Sequence, residues 1–178
     1  MKTQKWITGA IVVTAGALLI LKSCRTIPKG AKAVTPFDSK KYLGKWYEVA
    51  RFNYVFEKNL DHTTAEYSMR KDGNIKVVNK GHNYKTGKDK EATGVAKFVE
   101  SPDIAKLKVS FFGPFYAGYN VIAIDDDYKY ALVAGKNLKY LWLLSRTPTM
   151  PEDIKTKYLN KAAALGYKVD ELKWVKQD

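Results

Sequence analysis

Between Gly44 and Arg146 the chain alternates short β-rich runs with turn signals, and this rhythm constrains the fold more than any other feature. The runs are 44–53, 63–71, 74–82, 91–99, 105–112, 118–125, 129–135 and 138–146. Asp72-Gly73 is a strong hairpin signal, because a tight two-residue turn needs residues that tolerate positive φ. Lys85-Thr86-Gly87-Lys88, Ser101-Pro102-Asp103, Gly113-Pro114 and Gly135-Lys136-Asn137 mark further turns. Eight short strands joined by tight connections predict an up-and-down antiparallel sheet. Closing that sheet into a barrel removes its exposed edges. An eight-stranded barrel encloses an interior that side chains fill or that holds one small ligand.

A period of two sorts the side chains. Leu107, Val109 and Phe111 alternate with Lys106, Lys108 and Ser110, so the lysine side is the outside. The inward set on this reading is Glu48, Ala50, Phe52, Ala65, Tyr67, Met69, Val77, Asn79, Phe98, Val109, Phe111, Trp142 and Leu144. It is mainly apolar and aromatic with a few polar groups, the composition of a small-molecule pocket. Glu48 is the notable inward acid, a partner either for a headgroup or for an internal basic residue. Phe52, Tyr54 and Phe56 fall in the first loop, at the open mouth.

Leu141-Trp142-Leu143-Leu144 is apolar on both faces, and such a strand needs cover on both sides. A helix follows. Thr149 and Glu152 have capping-box spacing, Gly166 is a C-terminal stop, and Ile154, Tyr158, Ala162 and Leu165 form an apolar stripe to lay on the barrel. A short strand at Lys173-Trp174-Val175 closes the pattern.

The N-terminus differs in kind. Lys2 and Lys5 precede an uncharged run from Ile7 to Leu21, shorter than the roughly 20 apolar residues of a bilayer span. It reads as a secretory signal, residues 1–23. Leu21-Lys22-Ser23-Cys24 resembles the bacterial lipobox, with Lys22 where a small or apolar residue is usual. Cys24 is then the lipid-attachment residue, taking an acyl group such as palmitate, and 24–35 is a flexible lipidated tether. Arg25, in place of the aspartate that retains such proteins at the inner membrane, favours the outer membrane, at its periplasmic face.

Composition removes other classes. Cys24 is the sole cysteine, which excludes a disulfide framework and a Cys-cluster zinc site. His62 and His82 are the two histidines and have no evident third ligand, so no metal is expected. The loop Asp125-Asp126-Asp127-Tyr128 lacks the glycine of an EF-hand and receives no role. The net charge of +13 falls to +10 once the three lysines of residues 1–23 are removed. Charge and aromatics permit nucleic-acid binding, but export and scattered lysines argue against it. No catalytic residue, no enzyme motif and no cofactor fingerprint is found.

Tyr42-Leu43-Gly44-Lys45-Trp46-Tyr47-Glu48-Val49-Ala50-Arg51-Phe52 resembles the first strand of a lipocalin, with its Gly-x-Trp signature. Leu141-Trp142-Leu143-Leu144-Ser145-Arg146-Thr147-Pro148 resembles the last barrel strand and its terminal basic residue. Ala65-Glu66-Tyr67-Ser68, Asn79-Lys80-Gly81 and the run Leu107 to Tyr116 stand between them. Together they resemble the bacterial outer-membrane lipocalins, which are similar to apolipoprotein D, over residues 36–176. The resemblance implies an all-β, eight-stranded up-and-down barrel over 36–178 with a C-terminal α-helix packed outside. It also implies that Gly44, Trp46 and Arg146 close one end structurally, Arg146 stacking on the indole.

Tyr67, Asn79 and Trp142 match positions that line the pocket in the apolipoprotein D branch. With Phe98 and Phe111 they form the expected ligand-binding set. The expected function is carriage or storage of a fatty acid, lysophospholipid or phospholipid, with a homodimer left open. The alternatives are an envelope scaffold with a filled barrel and, less favoured, an enzyme on the same fold.

Overall fold

The computed structural model describes residues 26–178. The segment 1–23 expected to be a signal and the expected lipid-attachment residue Cys24 lie outside the described residues.

Among the described residues nine strands form one sheet that closes on itself. They are β1 (Gly44–Arg51), β2 (Leu60–Met69), β3 (Ile75–Asn83), β4 (Lys88–Phe98), β5 (Lys106–Phe112), β6 (Phe115–Ile124), β7 (Tyr130–Ala134), β8 (Leu141–Ser145) and β9 (Lys173–Trp174). Each of the first eight pairs antiparallel with its sequence neighbour, and β1 pairs with both β2 and β8. That closure makes the expected eight-stranded barrel. β9 adds a short edge to β1 through Ala50 and Arg51. The up-and-down order puts the β1–β2, β3–β4, β5–β6 and β7–β8 loops at one end, the mouth. The β2–β3, β4–β5 and β6–β7 loops share the other end with Trp46.

A four-residue helix, α1 (Ser39–Tyr42), enters the closed end, capped by Asp38 through Lys40 N and Lys41 N. The long helix α2 (Glu152–Ala164) lies on the outer wall, where Tyr158 and Ala162 pack with Leu132, Leu141 and Leu143. Leu141 and Leu143 thus face the helix while Trp142 and Leu144 face the lumen, as a doubly apolar strand requires. Gly166, at φ +92°, ends the helix as expected.

Four expectations are corrected. The capping box does not form: the helix cap is Pro151, and the Thr149 carbonyl instead accepts from Ser145 Oγ and Thr147 Oγ1. Ala50 and Phe52 do not point inward but pack under the helix, Phe52 stacking on Tyr167. The cause is a β-bulge between Glu48 and Ala50, whose extra residue shifts the alternation so that Arg51 faces in. Met69 ends β2 exposed at the closed end. The segment read as a tether is laid on the wall from Thr26 onward, with Pro28 buried and Val34 N bonded to Val121 O at 2.9 Å.

Candidate functional site: the barrel lumen

At the closed end Trp46 is fully buried, and Arg146 stacks over it with its guanidinium carbon 3.9 Å from the ring centroid. Gly44 sits at φ +93°, and a Cβ there would lie 3.4 Å from Arg146 Nη1. A side chain at this position would be strained and would press on the stacked cation. The three residues close the barrel.

Above Trp46 stand three tyrosines from α1, β2 and β6. Tyr42 OH and Tyr119 OH are 2.6 Å apart, and Tyr67 OH and Tyr119 OH 2.7 Å. Burial pushes all three hydroxyls above their ordinary pKa, so they stay protonated. Three hydroxyl protons serve two mutual bonds, which leaves one proton of the cluster without a partner in it. Asn79 Oδ1 is buried without a partner. Asn79 and Tyr67 share the inner face two positions apart across the β2–β3 ladder, within reach of long side chains. The hydroxyl cluster and an unpaired acceptor therefore share the inner face of the barrel.

Phe98, Val109, Phe111, Tyr119 and Trp142 pack around the inner core and remain half-buried. All five expected lumen residues, Tyr67, Asn79, Phe98, Phe111 and Trp142, lie on strands that present them to this one space. Tyr119 was missed in the sequence because β6 carries Ala117 and Gly118 beside it, which blurs the alternation.

Nearer the mouth lies an internal charge cluster. Arg51, fully buried, is hydrogen-bonded to Glu48 Oε1, and its Nε is 3.4 Å from Glu57 Oε2. The guanidinium also donates to Glu57 O at 2.7 Å and Leu60 O at 2.9 Å, tying down the first loop. Trp142 Nε1 donates to Glu57 Oε2 at 3.3 Å. Burial, and then the neighbouring Glu57 carboxylate, push Glu48 up to about 8 despite Arg51. Burial raises Glu57 as well. Glu48 thus has an internal basic partner. Nothing in the sequence signals it, since the bulge that turns Arg51 inward is a packing outcome.

Tyr54 holds the loop against the barrel. Its hydroxyl donates to Leu141 O at 2.8 Å and accepts from Leu141 N at 2.7 Å. Its ring stacks on Tyr140 and tilts against Trp142, both at 5.1 Å. Outside, His62 and His82 come within 6.2 Å, each beside its own aspartate. Among the described residues no three metal-ligating side chains cluster. Asp125 Oδ1 accepts from Lys129 N and Tyr130 N, so it shapes the β6–β7 turn.

The lipocalin-like domain model matches residues 37–177. The chain belongs to the lipocalin family. It is 52% identical to "Outer membrane lipoprotein Blc" of Citrobacter freundii, over 93% of each chain. It is 49% identical to the protein of that name in Escherichia coli K12, over 92% of this chain and 93% of the other. It is 34% identical to apolipoprotein D of Rattus norvegicus, over 84% of this chain and 80% of the other. Among solved structures, the cockroach allergen Per a 4 superposes with a TM-score of 0.66 at 20% identity, covering 86% and 96% of the two chains. Insecticyanin of Manduca sexta does so at 0.66 and 19%, covering 85% and 86%. Those two likenesses concern the fold alone. This lipocalin is a ligand-binding barrel of a non-enzymatic family, and like its bacterial relatives it is an outer-membrane lipoprotein.

Proposed function

We propose that this lipocalin carries one amphipathic lipid, a fatty acid, lysophospholipid or phospholipid, in its barrel while anchored through Cys24. The observation that carries the reading is an aromatic barrel interior that holds a buried, unpaired acceptor, Asn79 Oδ1, near the Tyr42–Tyr119–Tyr67 hydroxyl cluster. Phe98, Phe111 and Trp142 hold the acyl chain, which gains roughly 0.8 kcal/mol per buried methylene. The tyrosine hydroxyl donates to an ester, carboxyl or phosphate oxygen. Asn79 Oδ1 accepts from a hydroxyl or ammonium of the same headgroup. The test is titration with a lysophospholipid and a free fatty acid, followed by tryptophan fluorescence. A saturable change that disappears in Trp142→Phe supports the reading, and a flat response to every lipid overturns it.

A further inference from the structure

The four mouth loops form an exposed apolar rim. Phe56 in the first loop is 79% exposed and its neighbour Val55 86%, while Phe112 and Phe115, flanking the β5–β6 turn, are 70% and 80% exposed. Tyr84 in the β3–β4 loop and Leu138 in the β7–β8 loop continue the rim, also exposed. Large side chains left this open on one end, and on several separate loops, mark an interaction surface.

Charge is divided along the barrel axis. The mouth connections, residues 52–59, 84–87, 113–114 and 135–140, carry Lys58, Lys85, Lys136 and Lys139 against one acid, Glu57. Glu57 is engaged by Arg51 inside. The opposite end, with residues 70–74, 99–105 and 125–129, the α1 segment and Arg146, carries Asp38, Asp72, Glu100, Asp103, Asp125, Asp126 and Asp127 against Lys40, Lys41, Arg70, Lys71, Lys129 and Arg146. The apolar end is therefore the more basic of the two.

The N-terminal strap runs to the same end. Phe37 N bonds Asp103 O at the closed end, and the chain then runs outside β6. Thr26 O accepts from Asn120 Nδ2 at 2.7 Å. A Cβ on Gly118 would meet that same oxygen at 2.1 Å and Lys136 N at 3.2 Å, so glycine is required beneath the strap. Lys136 opens the β7–β8 mouth loop. Cys24 is two residues before Thr26, a reach of about 7 Å.

From these three observations we propose that the protein rests mouth-down on the bilayer that holds its anchor. Val55, Phe56, Phe112 and Phe115 enter the acyl boundary, and the lysines between them meet anionic phospholipid headgroups. The lumen then opens directly onto lipid, and a ligand passes between bilayer and barrel without crossing water. The orientation rests on the anchor at Cys24 and deepens the carrier reading.

The test places nitroxides by Phe56→Cys and, separately, Phe115→Cys in the lipidated full chain. Lys71→Cys at the closed end is the reference. The vesicles are phosphatidylethanolamine with phosphatidylglycerol. The two rim labels are expected to show severalfold higher oxygen than nickel-chelate accessibility, with the reverse at position 71. Replacing phosphatidylglycerol by phosphatidylcholine lowers the immersion. Rim labels as open to the nickel chelate as the reference overturn the proposal. So does spin–spin broadening between rim labels without oxygen gain, which identifies a second copy as the occupant. A chain that immerses its rim yet binds no lipid refutes the carrier reading alone, and one that binds lipid with a dry rim refutes this orientation alone.

Discussion

Arg146 serves Trp46 in two ways at once: it covers the indole face and it gathers the backbone that carries it. The guanidinium stacks 3.9 Å from the ring centroid and donates to the carbonyls of Lys41, Leu43 and Lys45 at 2.8 Å each, and of Tyr128 at 3.2 Å. Arg146→Ala removes the stack and leaves those carbonyls short of donors, a loss of about 2–4 kcal/mol. Arg146→Lys restores the charge but not the planar fork, so it recovers less than half. Urea unfolding of the three proteins checks this. Equal midpoints for the wild type and the alanine variant would show that Trp46 closes the barrel unaided.

The Glu48–Arg51–Glu57 cluster makes stability depend on pH. Folding raises Glu48 from its ordinary 4.5 to about 8, because burial disfavours its charged form. The folded state therefore holds its proton more tightly than the unfolded chain. The resulting stabilisation is complete below about pH 4.5 and fades as pH rises through about 8. Glu48→Gln keeps the site neutral and leaves Glu57 as the counter-ion of Arg51. Thermal unfolding of the variant is expected to match the wild type near pH 5 and to exceed it by several degrees at pH 9. An unchanged difference across that range refutes the assignment.

Tyr54 anchors the first loop with one hydroxyl that both donates to and accepts from Leu141. Tyr54→Phe leaves the buried Leu141 amide and carbonyl unpaired, at a cost of about 1–3 kcal/mol. The loop opens more often as a result. Hydrogen exchange at residues 53–58 is expected to accelerate while the β2–β3 core stays protected. Unaltered exchange in that loop would mean that Arg51 alone holds it.

Asn79 sets stability against binding. Its buried, unpaired Oδ1 costs the empty barrel up to a few kcal/mol. Asn79→Leu should therefore stabilise the lipid-free protein, by about 1 kcal/mol, and weaken lysophospholipid binding by about tenfold. Calorimetric unfolding and ligand titration of one preparation check both. A variant that gains stability with full affinity would remove Asn79 from the site.

The barrel was legible because its causes are local: two-residue alternation, turn chemistry, and a β8 strand apolar on both faces. The inner residues Tyr67, Asn79, Phe98, Phe111 and Trp142 follow from that alternation. Ala50, Phe52 and Arg51 were misplaced or overlooked because a single bulge in β1 reverses the phase, and no residue type there announces it. Met69 follows the alternation but lies past the point where the barrel encloses it. The tyrosine cluster was hidden for another reason. Tyr42, Tyr67 and Tyr119 come from three distant segments, and their shared hydroxyls exist only once the barrel closes.

On the proposed reading the barrel holds one lipid at a time. This is tested most directly by native mass spectrometry of the processed, lipid-anchored chain, released from membrane into mild detergent and offered a lysophospholipid. A single one-to-one adduct is expected, which persists as detergent is stripped, is lost in Trp142→Ala and is weakened in Tyr67→Phe. A folded protein that carries no adduct, or one that carries several lipids regardless of those substitutions, would contradict it.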